Sequence, residues 1–110
     1  PWYSLGSADM LAVAHMGLHV AQMTSKAAMR QCFDAVTVNA AQVLGLEGYG
    51  IAPGCHADLL LLQARDPVEA LRLRATRLKV FRRGRLLAES QPATAQLNLP
   101  HRPPTTSWST

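Results

Sequence analysis

TVNAAQVLGLEGYGIAPGCHADLLLL, residues 37–62, is the stretch whose reading decides the fold. Its first half is helical in character: Asn39-Ala-Ala-Gln-Val follows a Thr and ends at Leu44-Gly45. A glycine just past a helix end takes positive φ at little cost, so Gly45 marks the stop. Gly48, Gly50, Pro53 and Gly54 then crowd a short interval, which reads as a turn-rich connector. Asp58 leads into Leu59-Leu60-Leu61-Leu62. An unalternating apolar run bounded by turns predicts a strand buried on both faces.

Working outward toward the N-terminus, residues 1–6 read as a loop carrying the pair Trp2-Tyr3. Ser7 or Asp9 can cap a helix, and from Ala8 to about Met23 the pattern is helical. Leu11, Ala14, His15, Leu18, Ala21 and Gln22 recur at spacings of three and four. Thr24-Ser25 breaks the pattern and caps a second helix over about Lys26–Val36. Toward the C-terminus, Asp66-Pro67 starts a helix over 67–73, with proline where its missing N–H costs nothing. LKVFR (78–82), Arg83-Gly84 and RLLAE (85–89) read as strand, two-residue turn and strand. A last short strand is expected at 94–99, and the Pro-rich residues from 100 onward read as a frayed tail. Helices followed by strands indicate an α+β domain or parts of two domains.

The bulk properties narrow the function classes. The chain has 110 residues, about one small domain, and 48% of them are hydrophobic, enough for a core. Aromatics are only 5%, so that core must be aliphatic. The net charge of +4 is a modest excess that ordinary enzymes share. Cys32 and Cys55 form no CxxC, which favours reduced thiols and a cytoplasmic setting. No apolar run approaches the roughly 20 residues of a membrane span, and nothing at the start marks export.

Four groupings could carry chemistry. His15 and His19 stand one helical turn apart, the spacing of a helix-borne metal pair. No Glu follows His15 and no third ligand is evident, so packing or hydrogen bonding is the plainer role. Cys55, His56 and Asp58 have the residue types of a nucleophile, base and acid, but triad members normally come from separate segments. They read as a turn that sets up the leucine strand. Arg72, Arg74, Arg77, Lys79, Arg82, Arg83 and Arg85 form a basic run with only Phe81 for stacking. Strand alternation would leave these charges solvated, with Leu78, Val80 and Leu86 or Leu87 inside. Trp2 and Tyr3 could plug a gap or offer a flat ring to a planar ligand. No HxH pair, Walker loop, GxSxG or carboxylate pair is present.

The quoted stretch also resembles the C-terminal signature of the amidohydrolase superfamily: Thr-x-Asn-x-Ala, Leu-Gly-Leu, a Gly-Ile-x-x-Gly turn and Ala-Asp-Leu opening a strand. VFRRGRLLAE (80–89) fits the strand pair that follows in that family. PWYSLGSADMLAVAHMGLHVAQM (1–23) looks like the segment after the last barrel strand of bacterial cytosine deaminases. The similarity spans roughly residues 1–99.

The resemblance implies an α/β parent. This chain would be a C-terminal fragment of a (β/α)8 TIM-barrel enzyme, beginning just after its last metal ligand. Residues 1–47 would supply outer helices after strand eight. Residues 48–99 would supply the C-terminal strands of a small β-sandwich domain, and 100–110 a flexible tail. The implied parent activity is metal-dependent hydrolysis of cytosine, or a related ring amine, to uracil and ammonia. Iron or zinc would activate water on ligands upstream of this chain, so the piece itself would bind no metal and be inactive. Trp2 matches an aromatic of the pyrimidine pocket, and the loops after barrel strands build such sites. His15, His19 and Asp58 match positions outside the metal centre. The implied partners are a cytosine-like small molecule and further copies of the chain, with no nucleic acid and no membrane. The alternative is a non-catalytic structural or binding module using the basic hairpin.

Overall fold

The structure, a computed structural model, describes residues 6–102. Four helices and three strands follow in the order α1 (Met10–Val20), α2 (Lys26–Ala35), α3 (Val38–Val43), β1 (Leu59–Leu62), α4 (Pro67–Leu73), β2 (Arg77–Arg82) and β3 (Arg85–Glu89).

Local chemistry sets the helix boundaries. Of the two candidate caps for α1, Asp9 is the one used: its Oδ1 accepts from the Leu11 N–H at 2.9 Å. Helix α1 therefore starts two residues later than the apolar pattern predicts and stops at Val20. Ser25 caps α2 by accepting from the Ala28 N–H at 3.1 Å. Gly45 follows α3 with φ +62°, as expected of a glycine stop. Asp66 caps α4 by accepting from the Glu69 N–H, and Pro67 takes the first helical position.

Helices α1, α2 and α4 pack together around Ala14, Leu18, Cys32 and Leu71, with Leu11, Met23, Met29, Phe33 and Val36 around the rim. Leu71 is fully buried at 0% exposure. The Cys32 thiol donates to the Ala14 carbonyl at 3.2 Å, tying α2 to α1. Leu71 belongs to α4, far along the chain, so the connector through β1 brings a late helix back onto the first two.

The strands form one antiparallel sheet in the order β1-β2-β3. Arg83 and Gly84 both take positive φ, +51° and +76°, which is the two-residue turn that matches strand twist. Three expectations fail here. The leucine strand is an edge strand and is not buried on both faces: Leu60 and Leu61 are half exposed. In the hairpin, Leu78 and Val80 are half-buried but Leu86 and Leu87 are exposed. No second sheet or helix layer of the described residues covers these faces. The strand expected at 94–99 does not form. Ala93, the residue just before that segment, has its backbone engaged by a side chain instead of a neighbouring strand. The Gln63 side-chain amide donates to the Ala93 carbonyl at 2.8 Å and accepts from its N–H at 2.9 Å, so a side chain stands in for a strand partner.

Candidate functional site

The Gly-rich connector and the hairpin turn enclose an open groove of about 420 Å³ lined by Glu47, Tyr49, His56, Asp58, Arg82 and Arg83 together with glycine backbone. Gly48 makes the connector possible. It has φ +65°, and a Cβ there would stand 2.8 Å from His56 Cδ2. The His56 N–H donates to the Gly48 carbonyl at 2.7 Å, which folds the connector onto the strand entrance.

Asp58 latches this corner. Its Oδ1 accepts from the Arg83 backbone N–H at 2.6 Å, and its Oδ2 accepts from Arg82 Nη1 at 2.8 Å. Beside it the Gly84 N–H donates to the Ala57 carbonyl at 2.9 Å. His56 Nδ1 faces Arg83 Nη1 at 3.3 Å and therefore accepts from it, since a guanidinium only donates. The Cys55 thiol points elsewhere, toward the Tyr49 carbonyl at 3.7 Å. Cys55, His56 and Asp58 thus share a corner without forming a relay. Asp58 is held by arginines, His56 serves an arginine, and Cys55 has no base. The reading of these residues as a strand-entry turn stands.

Part of the basic run is matched by carboxylates. Arg77 pairs with Asp9, Lys79 with Glu89 at 3.0 Å, and Arg82 with Asp58. Arg77–Asp9 joins the sheet to the cap of α1, a link between distant segments that spacing could not reveal. Upstream, Arg65 and Glu69 pair at 3.0 Å, and Glu69 Oε2 also accepts from the Arg65 backbone N–H at 2.7 Å. The Arg65 guanidinium and this N–H hold the Glu69 carboxyl below its ordinary range. The Glu69 N–H does the same for Asp66.

His15 and His19 meet on the α1 surface. His15 Nδ1 lies 2.9 Å from the Leu71 carbonyl, and the two Nε2 atoms lie 3.2 Å apart. Trp2 and Tyr3 lie outside the described residues. Among the described residues no three His, Cys, Asp or Glu side chains converge to hold a metal, so they do not fit a catalytic metal centre of the kind the resemblance implies. No helix among them is long and apolar enough to cross a membrane.

The amidohydrolase family profile matches residues 1–88, and the chain belongs to that family. It is similar to 5-methylcytosine deaminase from Klebsiella pneumoniae, whose crystal structure with 5-fluorocytosine superimposes with a TM-score of 0.79 at 35% identity, covering 88% of this chain and 24% of that one. N-isopropylammelide isopropylaminohydrolase from Burkholderia multivorans gives a TM-score of 0.75 at 32% identity, covering 80% of this chain and 23% of that one. In sequence, N-isopropylammelide isopropyl amidohydrolase of Pseudomonas sp. (strain ADP) is 30% identical over 95 residues, 86% of this chain and 24% of that protein. The chain thus spans about a quarter of the length of these relatives.

Proposed function

We propose that this chain is the C-terminal portion of a metal-dependent hydrolase that deaminates cytosine, or a close ring amine, to uracil and ammonia. The likeness to 5-methylcytosine deaminase at 35% identity and TM-score 0.79 is the observation that carries this reading. In it, residues 1–47 are outer helices of a TIM barrel and residues 48–99 are strands of a β-sandwich domain completed by segments elsewhere in the protein. The exposed leucines of β1 and β3 suit strands of that kind.

The divalent ion, iron or zinc, belongs in this reading to ligands outside the described residues. This chain's own contribution is positional. The α1–α2–α4 core fixes the start of α1, and the resemblance assigns Trp2, just ahead of it in sequence, to the pyrimidine pocket of the longer protein. An indole there walls off a planar base. The protein would be cytoplasmic and assemble with copies of itself. Val13, Met16 and Val20 are exposed along α1, and an exposed apolar stripe of this kind supports association.

The test is ammonia release from cytosine and 5-methylcytosine. The 110-residue chain should be inactive with any added divalent metal, whereas the longer protein that contains it should turn over. In the longer protein Trp2→Ala should raise KM more than it lowers kcat. Metal-dependent turnover by the 110-residue chain alone, or a longer protein that hydrolyses no ring amine, would overturn the reading.

A further inference from the structure

Carbonyl oxygens only accept, so His15 Nδ1 must carry the proton it donates to Leu71 at 2.9 Å. The Nε2 of neutral His15 is then a bare lone pair. It accepts from His19 Nε2–H across 3.2 Å, with the rings at 71° to one another. Moving the His19 proton to its own Nδ1, a tautomer change with no net proton lost, leaves a lone pair on each Nε2, and rotation of the exposed His19 ring turns the two toward a shared point.

That point suits a metal ion. Ligands ~2.0–2.1 Å from zinc at a tetrahedral angle stand about 3.3–3.4 Å apart, close to the observed separation. A metal-bound imidazole is oriented and made more basic when its other N–H donates to a carbonyl, and His15 already does so. His19 lies in the last turn of α1, where the helix dipole favours cations. His15 is half-buried and held, while His19 is exposed and leaves the remaining coordination positions to water.

We propose that His15 and His19 form a two-imidazole clip for a divalent transition ion of the kind that prefers imidazole, zinc or nickel. The clip acts on structure. Through the Leu71 carbonyl it joins α1 to α4, so an ion bound only by the folded chain stabilises the contact on which the helical core rests.

Calorimetric titration of the full chain with zinc and with nickel, paired with thermal unfolding, tests this. One equivalent should bind saturably and raise the unfolding temperature. Loss of even an outer partner costs roughly 10–100-fold in metal affinity, so His19→Ala should weaken binding by at least about tenfold and abolish the thermal shift. His19 is exposed, so its removal leaves the core intact. His19→Cys should retain zinc, because a thiolate can occupy the same position. Cys55→Ser, which removes the part-exposed thiol, should change nothing. Absence of saturable binding, or affinity unaffected by His19→Ala, would overturn the proposal.

Discussion

The helical and sheet halves of this chain are built on different principles. Around Leu71, α1, α2 and α4 bury apolar side chains against one another, and Leu71 has 0% exposure. In the sheet every residue of β3 is exposed, as are the first three leucines of β1. The helices are held by packing. The sheet is held by its backbone ladder and by the Asp58 corner. The two halves should therefore respond to different insults.

The largest effect is expected from Leu71→Ala. A fully buried leucine truncated to alanine costs about 2–5 kcal/mol, and here the lost atoms sit where three helices meet. Chemical denaturation should show the loss. The comparison breaks if Leu87→Ala, an exposed sheet position, costs as much.

Asp58→Ala comes next. It removes the acceptor of the Arg83 backbone N–H and the partner of Arg82. Hydrogen bonds to a charged group are worth about 1.5–3 kcal/mol, and partial exposure of Asp58 places the loss toward the lower end. Amide exchange should rise in the Arg82–Arg85 turn while α1 and α2 keep their protection. Uniform loss of protection would mean that the halves are one cooperative unit.

The same division explains what the sequence could disclose. Capping and turn chemistry is local, so Ser25, Asp66-Pro67, Gly45 and Arg83-Gly84 were legible as residue types at fixed offsets. The leucine run is a strand, as its pattern indicates, but not a buried one, because four apolar residues announce a strand and say nothing of what lies against it. The segment expected to form a strand at 94–99 follows a long-range contact that spacing does not reveal, the Gln63 amide on the Ala93 backbone. The candidate site followed the same rule. Asp58 was recognisable as a strand-entry residue, yet its arginine partners lie 24 and 25 positions away and carry no local signal. His15 and His19 were visible as a pair, but the Leu71 carbonyl that orients His15 was not.

A smaller effect, of opposite sign, is expected at the end of α4. Arg74 closes that helix with φ +48°, a left-handed conformation that costs a non-glycine residue about 1 kcal/mol. Its N–H meets the Ala70 and Leu71 carbonyls, and glycine would keep that arrangement without the Cβ penalty. Arg74→Gly should raise stability by somewhat less than 1 kcal/mol, since glycine also loosens the unfolded chain. A denaturation midpoint that falls would show that the arginine side chain matters more than its backbone.

The smallest effect is electrostatic and sits at the other end of α4. Asp66 is lowered mainly by the Glu69 N–H, and Glu69 mainly by its hydrogen bond to the Arg65 side chain. A carboxyl whose pKa is lower folded than unfolded stabilises the fold fully above the unfolded value, near pH 4, and loses that contribution as pH falls through the folded value. Asp66 is exposed and the half-buried Glu69 pairs with an exposed Arg65, so solvent screening keeps the effect small. Denaturation midpoints should hold steady down to about pH 5 and drop below pH 4, with a shallower drop in Glu69→Gln. Because α4 carries Leu71, fraying its first turn in acid loosens the helical core before it touches the hairpin. Amide exchange at low pH should therefore rise in α4 ahead of β2 and β3. The reverse order would place the acid-sensitive element at Asp58, in the half held by charge rather than packing.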